Sequence, residues 1–239
     1  GNLTKLEQLF IANGELETLP ASMSNLVSCS DLEIYNCPRM TSFPMAVADM
    51  PALERAALQL AQGRVLDVGA GAGCHSLALQ QMGKDVVAID ISPLSVEVMK
   101  ERGVDARLVN FYDESFNEKF DTVLMLMNGT GIMGNLDNVK AFFKALKRLL
   151  NPGGKVYIDS SDLRYLYEEE DGSLMIDLAG DYYGQLDYQM QYKDVEGEPF
   201  DWLYLDFNTL AYYAEENGFK AEVLFEGEHY DYLAGLTLA

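Results

Sequence analysis

The sequence predicts an α/β protein built around a mostly parallel sheet. From about residue 50, short apolar runs alternate with amphipathic stretches of helical length. Buried runs of four to six residues that are separated by helices are typical of βαβ units. Near the end of the chain, two apolar runs are separated only by the polar turn "EGEHYD", which favours a terminal antiparallel strand pair.

The predicted strands and helices follow one another in a regular order. The predicted strands cover residues 65–68, 86–89, 107–109, 122–127 and 155–159. The helices between them cover residues 74–82, 93–102 and 136–150. Gly83 and Gly103 follow the first two helices, as glycines at helix C-termini commonly do, and "NPGG" (151–154) ends the third. Ser92 and Pro93 supply an N-cap and a first-turn proline for the second helix.

Residues 162–206 form an insertion rich in acids and tyrosines. Within "GQLDYQMQYK", apolar and polar residues alternate with a period of two, which indicates a half-buried strand. The stretch "FDWLYL" (200–205) is its predicted antiparallel partner, so the insertion is predicted to be a hairpin on the substrate side. Trp202 and the nearby tyrosines can line a substrate pocket, although a small core under the hairpin is the favoured interpretation for any single one. A helix at 208–217 and terminal strands at 220–225 and 232–238 complete the chain.

The first 45 residues have a different pattern. Leu9 and Ile11 recur as Leu32 and Ile34, 23 positions later. This period resembles a pair of leucine-rich repeats, but two repeats cannot bury their apolar faces alone. A cap that packs on the main domain is an equally good interpretation. We therefore expect a cap or repeat-like segment at 1–45 and the main domain at 46–239.

Composition limits the classes of function. With 239 residues and 49% hydrophobic content, the chain can bury a sizeable core. A formal charge of −21 disfavours nucleic acid and anionic membranes as partners, because both require a basic face. The three cysteines have no zinc-like spacing, so no metal site is expected, and a reducing cytoplasm fits them best.

The segment "VLDVGAGAGCH" (65–75) places glycines at 69, 71 and 73 after Asp67. A glycine-rich turn between a strand and a helix lets a ligand approach the main chain and offers free N–H groups at a helix N-terminus. About twenty residues later, the second strand ends in Asp90, where a carboxylate can accept both ribose hydroxyls of an adenosine. Together these features predict a nucleoside-binding site.

Four segments, in order, resemble the class I S-adenosylmethionine-dependent methyltransferases: "VLDVGAGAG", "VVAIDIS", "FDTVLMLMNGTG" and "LLNPGGKVYID". The resemblance covers about residues 50–239 and extends to a group of bacterial methyltransferase-domain proteins. It implies a Rossmann-like three-layer sandwich with a seven-stranded sheet. It also implies S-adenosyl-L-methionine as cofactor and S-adenosyl-L-homocysteine as product.

The resemblance assigns a set of cofactor-binding residues. Asp67 and the loop residues Gly69, Ala70, Gly71 and Gly73 would lie along the methionine part, and Asp90 would bind the ribose. The remaining positions, which would contact the adenine or face the reacting methyl, are Ile91, Asn110, Phe111 and Met127. Asp113 is a register-shifted alternative to Asn110.

The candidate catalytic residues are Asn128 and Asp159, because both follow strands whose carboxyl ends meet at the ligand-binding edge of the sheet. His75 and His229 are better explained as locally packed or capping residues.

The favoured function is transfer of a methyl group to a small molecule. The acceptor is expected to be neutral or cationic, because the chain is so acidic. One alternative is a non-catalytic adenosyl-binding or protein-interaction module that uses the repeat-like segment. The other is a nicotinamide-dependent oxidoreductase, which Cys74 in place of the third fingerprint glycine disfavours.

Overall fold

The computed structural model describes residues 8–12, 31–35, 50–169, 171–177, 179–192, 195–227 and 230–239. The chain divides into two compact units, Gly1–Pro51 and Ala52–Ala239. Within the described ranges, no helix has both the length and the apolar character needed to cross a membrane.

The described part of the first unit is a pair of parallel strands, β1 (Gln8–Ala12) and β2 (Asp31–Tyr35). Their register aligns Leu9 with Leu32 and Ile11 with Ile34, the same pairs that recur in the sequence. The repeated sequence is thus matched by two parallel strands in equivalent register. The remainder of each repeat, after β1 and after β2, lies outside the described residues.

The second unit alternates strands and helices. In chain order its elements are α1 (Ala52–Leu60), β3 (Arg64–Val68), α2 (Cys74–Gln81), β4 (Asp85–Asp90), α3 (Pro93–Glu101), β5 (Asp105–Leu108), β6 (Phe120–Met125), α4 (Val139–Leu149), β7 (Leu150–Ser161), β8 (Gln185–Tyr188), β9 (Gln191–Tyr192), β10 (Val195–Glu196), β11 (Phe200–Leu203), α5 (Phe207–Glu216), β12 (Phe219–Glu226) and β13 (Asp231–Leu238).

Seven of these strands form one sheet in the order β12-β13-β7-β6-β3-β4-β5. Strands β3 to β7 pair in parallel, whereas β13 lies antiparallel to both β7 and β12. The predicted α/β class with a mostly parallel seven-stranded sheet and a terminal antiparallel pair is therefore confirmed. Because the parallel strands share one direction, their carboxyl ends lie along a single edge.

Local sequence signals set the helix boundaries. Gly83 and Gly103 adopt φ of 76° and 79° directly after the helix C-caps, a conformation that glycine tolerates best. Ser92 caps α3 by accepting a hydrogen bond from Ser95 N at 3.3 Å, and Pro93 opens the helix. The predicted C-terminal glycines of α2 and α3 and the predicted N-cap of α3 are thus confirmed.

The core is densely aromatic between the sheet and α4. Phe142 and Phe143 of α4 are fully buried and pack at 5.5 Å between ring centroids. Phe219 continues this cluster at 5.3 Å from Phe143. The strand expected at 122–127 ends instead at Met125, because the following residues turn sharply.

The insertion contains the expected antiparallel hairpin. β8 pairs with β11 in a register that places Leu186 opposite Trp202 and Tyr188 opposite Phe200. β9 and β10 form a short antiparallel extension of the same insertion. The two strands of the main hairpin form their own sheet, separate from the seven-stranded one.

Candidate functional site

A cavity of about 550 Å³ opens at the carboxyl ends of β3, β4 and β5. Five of the sequence-predicted site residues line it: Gly69, Asp90, Ile91, Asn110 and Phe111. The other walls come from the 3₁₀ segment Gly129–Met133 and from β11. The edge of the sheet thus brings together residues that the sequence separates by more than a hundred positions.

The three loop glycines meet different requirements. All adopt left-handed backbone conformations, with φ of 69° at Gly69, 55° at Gly71 and 82° at Gly73. A Cβ at Gly71 would meet nothing within 4 Å, whereas one at Gly73 would lie 2.8 Å from Met99 Cγ. The loop therefore needs Gly73 for close packing against α3, while the space beside Gly71 stays open.

The N–H groups of these glycines are not free, which corrects the expectation that they wait for a ligand. Gly69 N donates to Ile89 O at 2.9 Å, and Gly73 N donates to Ala70 O at 2.8 Å. Gly71 N donates to Asp90 Oδ2 at 2.8 Å. These bonds fix the loop in its shape, because a tight turn must satisfy its own backbone polar groups.

Asp90 connects the glycine loop to the next strand. Its Oδ2 accepts from Gly71 N, and its Oδ1 accepts from Ser92 N at 2.8 Å. An ionised carboxylate has about four acceptor sites, so each oxygen keeps capacity for one further donor. Because the side chain also lines the cavity, two neighbouring hydroxyl groups can bind there.

The next strand end supplies an amide and an aromatic wall. Asn110 lines the cavity and its Oδ1 accepts from Tyr112 N at 2.9 Å, which holds the amide in place. Phe111 is 4% exposed and meets Tyr112 edge-on with 5.2 Å between ring centroids. Asp113 instead caps a local turn through Ser115 N. Of the two rival residues, Asn110 is the one that lines the cavity.

Asp67 and Ala70 lie beneath the loop. Asp67 is 2% exposed and accepts from Ser76 Oγ at 2.6 Å. Burial raises the pKa of Asp67, although the positive charge of His75 and the Ser76 hydrogen bond counter the increase. The Ala70 methyl packs with Val96 and Met99 in the cluster under α3. Both side chains support the loop from its protein side.

His75 and Glu54 form a buried pair that sequence analysis did not identify. His75 Nε2 lies 2.7 Å from Glu54 Oε2, and their side chains are only 5% and 16% exposed. Burial alone would lower the pKa of His75, but hydrogen bonds to Cys74 and Glu54 and the charge of Asp67 raise it to about 10. The pair links α1 to the start of α2. His229, the other histidine, lies outside the described residues.

A strained turn follows β6. Met127 and Asn128 adopt φ of 65° and 62°, which is uncommon for residues with a Cβ and is often found at functional sites. Asp159 supports this turn, because its Oδ1 accepts from Gly129 N at 2.9 Å. Burial raises the pKa of Asp159, and the backbone N–H groups of residues 127–129 partly offset that increase.

The Asn128 amide faces a polar network inside the protein. Its Oδ1 accepts from Ser160 Oγ at 3.0 Å and lies 3.2 Å from Thr130 Oγ1. Thr130 Oγ1 also lies 2.9 Å from Leu203 O of β11, and Leu205 N donates to Ser160 Oγ. The network attaches the inserted hairpin to the turn after β6. Met127, by contrast, is 67% exposed at the tip of that turn.

The cavity also has walls that the sequence did not assign to a site. Phe200, Asp201 and Trp202 of β11 reach it from the insertion, and Ile132 reaches it from the 3₁₀ segment. The alternation in "FDWLYL" predicts a strand but does not predict which part of the protein the strand packs against.

A second cavity of about 460 Å³ lies beside the N-terminus of α5 and is lined by Asp162, Arg164 and Asp206. The described ranges contain no cluster of side chains able to hold a metal ion.

Comparison with known proteins assigns this arrangement to a class. Residues 66–158 match the family model of a methyltransferase domain. The chain is 64% identical to a SAM-dependent methyltransferase of Bacteroides fragilis, solved in complex with S-adenosyl-L-homocysteine. That match covers 80% of this chain and 78% of the other, with a TM-score of 0.76.

Curated relatives match over shorter lengths. A cypemycin N-terminal methyltransferase from Streptomyces is 34% identical over 102 residues, which are 41% of this chain and 42% of that protein. A ubiquinone biosynthesis O-methyltransferase from Xanthomonas oryzae pv. oryzae is 34% identical over 113 residues, which are 44% of this chain and 46% of the relative. The chain thus spans less than half the length of these two relatives.

The fold is that of the Rossmann-like α/β enzymes, and the cavity lies at the edge of the sheet where such enzymes bind their ligands. The chain belongs to the S-adenosylmethionine-dependent methyltransferases, and S-adenosyl-L-methionine is its cofactor.

Proposed function

We propose that this methyltransferase transfers the methyl group of S-adenosyl-L-methionine to a small-molecule acceptor by in-line displacement. The observation that carries the proposal is the cavity at the strand ends, where Asp90 both fixes the glycine loop and lines the wall. The open space beside Gly71 and the free acceptor capacity of Asp90 fit an adenosyl ligand.

We assign the cofactor contacts by position. Asp90 accepts the ribose hydroxyls, while Ile91, Asn110 and Phe111 contact the adenine. The backbone of Gly69, Ala70, Gly71 and Gly73 passes along the methionine part of the cofactor. Asp67 supports this loop from its protein side. Met127 faces the reacting methyl.

The reaction asks little acid–base chemistry of the protein. When bound, the cofactor supplies a sulfonium methyl that is already activated for transfer. The chain has to align the acceptor in line with that methyl and to exclude water. Asn128 and Asp159 are the residues that we propose for the acceptor end of the site. Asn128 would hold the turn through its internal hydrogen bonds, and Asp159 would take a proton from an amine or hydroxyl.

The acceptor is proposed to be neutral or cationic. The formal charge of −21 opposes the approach of an anionic substrate. The names of the relatives describe an N-terminal methylation and an O-methylation in ubiquinone biosynthesis, so both nitrogen and oxygen acceptors occur among them. The non-catalytic alternative is not favoured, because the B. fragilis protein, which is 64% identical over the matched region, is described as a SAM-dependent methyltransferase.

We propose a division of the chain into a repeat-like or capping segment at 1–45 and a cofactor-binding domain at 46–239, with the insertion at 162–206. The hydrogen bonds of Asn128, Thr130 and Ser160 to one another and to Leu203 and Leu205 support including the insertion in the catalytic domain.

Calorimetric titration with S-adenosyl-L-homocysteine tests the cofactor site. We expect micromolar affinity for the wild-type protein and at least a tenfold loss in Asp90→Ala, because hydrogen bonds to a charged group contribute about 1.5–3 kcal/mol each. Asp85→Ala is the matched control, since Asp85 begins the same strand at the opposite edge of the sheet.

Equal affinity in all three proteins would exclude the assigned role of Asp90. No binding at millimolar ligand would refute the function itself. Activity is then measured as S-adenosyl-L-homocysteine released in the presence of small amines and phenols.

A further inference from the structure

Trp202 is the only tryptophan of the chain and lies in β11 of the insertion. It lines the same cavity as Asp90 and Phe111, although more than ninety residues separate it from either. Trp202 meets Phe200 edge-on at 5.9 Å between ring centroids, so an aromatic pair forms this side of the cavity.

The position of Trp202 is fixed by its neighbours. A Cβ at Gly131 would collide with the indole ring, so the absence of a side chain there makes room for Trp202. The next residue of the strand, Leu203, accepts a hydrogen bond from Thr130 Oγ1 at 2.9 Å. On the other side, Asn135 Nδ2 donates to Asp201 Oδ2 at 2.9 Å. Bonds on both sides of Trp202 therefore hold the strand over the 3₁₀ segment.

The cavity corresponds to the nucleoside end of the crevice. Its lining includes Asp90, the proposed ribose ligand, and Asn110 and Phe111, the proposed adenine neighbours. Among the described lining residues, neither Met127 nor Asn128 of the proposed methyl-transfer end is present. With these proposed roles, a side chain in this wall would contact the nucleoside rather than the acceptor.

We propose that Trp202 contacts the adenosine part of the cofactor, so that the inserted hairpin is a wall of the cofactor site. This inference rests on the proposed function. Large aromatic side chains suit this task, because a purine offers a flat π-surface that packs favourably against an indole. The proposal also gives the insertion a second role, in the cofactor site, in addition to the substrate side on which the sequence placed it.

The single tryptophan makes the proposal directly measurable. S-adenosyl-L-homocysteine is titrated into the wild-type protein under selective tryptophan excitation, and the same titration is followed by calorimetry. We expect a saturable change in tryptophan emission whose midpoint agrees with the calorimetric Kd. Adenosine at high concentration should produce the change, whereas methionine should not.

Variants test whether the contact contributes to affinity. We expect Trp202→Ala to weaken S-adenosyl-L-homocysteine binding about tenfold, in line with the loss of one base–aromatic contact. Trp202→Phe should retain most of the affinity. Met190→Ala is the matched control, because Met190 belongs to the same insertion but is 65% exposed and outside the cavity lining.

The outcomes separate this inference from the function on which it rests. Calorimetric binding with unchanged tryptophan emission would overturn the inference and leave the cofactor site intact, as would a Trp202→Ala protein with wild-type affinity. Loss of calorimetric binding in the wild-type protein would overturn both. If Trp202→Ala does not fold, the emission measurement on the wild-type protein still decides.

Discussion

His75 shows how one buried residue can support a ligand-binding loop without touching the ligand. Its imidazole pairs with Glu54 of α1 at 2.7 Å and is close enough to Asp67 of β3 for the two charges to affect each other, and only 4% of the residue is exposed. The contact with Glu54 and the negative charge of Asp67 compensate for the cost of burying a charge. The start of α2 is bonded to α1 through His75 and to β3 through the neighbouring Ser76, whose Oγ donates to Asp67 at 2.6 Å.

The raised pKa of His75 predicts a specific dependence of stability on pH. The folded protein binds this proton up to about pH 10, while an unfolded histidine releases it near pH 6.5. The stabilisation is therefore complete below about pH 6.5 and is lost as the pH rises through 10, by up to about 1.4 kcal/mol per pH unit. Urea unfolding of the wild type and of His75→Gln across this range measures the effect.

We expect the wild-type free energy of unfolding to fall toward alkaline pH more steeply than that of His75→Gln. At neutral pH, the variant should be less stable by about 3–5 kcal/mol, because glutamine lacks the positive charge that pairs with the largely buried Glu54 carboxylate. Glu54→Gln serves as the reciprocal variant. Parallel pH curves for wild type and His75→Gln would show that the histidine is not charged in the folded protein.

At the scale of elements, the turn after β6 and the inserted hairpin form one unit. Asn128, Thr130 and Ser160 bond to one another, and the latter two reach the backbone of residues 203 and 205. Thr130 and Ser160 are fully buried or nearly so. Buried polar networks of this kind fix one arrangement, because any broken bond leaves an unsatisfied group away from water.

Thr130→Val tests this connection with almost no change in shape. We expect a loss of about 1–3 kcal/mol in the free energy of unfolding, because a methyl group replaces the buried hydroxyl that lies 2.7 Å from Ser160 Oγ and 2.9 Å from Leu203 O. The emission of Trp202 should also shift toward that of a solvent-exposed indole as β11 loosens. Thr237→Val is the matched control on β13. Equal stability of the two variants would contradict the proposed role of the network.

At the scale of the whole molecule, the charge of −21 dominates the electrostatics. Some of the basic side chains form ion pairs: Arg64 and Arg107 both contact Glu118, and Lys144 contacts Glu114 at 2.6 Å. The excess of acids leaves a net self-repulsion that destabilises the compact state.

Salt is therefore expected to stabilise the protein. Raising ionic strength from about 0.01 M to 0.1 M shortens the Debye length from about 30 Å to 10 Å and screens this repulsion. We expect Tm to rise by about 2–4 °C for each 1 kcal/mol gained, as measured by calorimetric scans in sodium chloride. Potassium chloride should act equally, since the effect is general screening. A Tm that is unchanged or lower in salt would contradict the expectation.

Local signals allowed much of the fold to be predicted. Gly83, Gly103 and Ser92 act on backbone torsions and hydrogen bonds within a few residues, so their effects are visible in the sequence. The spacing of the glycine loop and Asp90 by one βα unit predicted that both lie at the same edge of the sheet, but not that Gly71 N donates to Asp90 Oδ2. The assignment of the remaining contact residues stays a prediction for the experiments above.

The sequence by itself determined the order of strands and helices, the family and the ligand-binding edge of the sheet, because these depend on short-range patterns. Only the tertiary structure decided that Gly73 is needed for Met99, that the Asn128 amide faces an internal network, and that Trp202 reaches the cavity of Asp90. These facts depend on which segments pack together across long sequence separations, and periodicity within a segment carries no information about its packing partner.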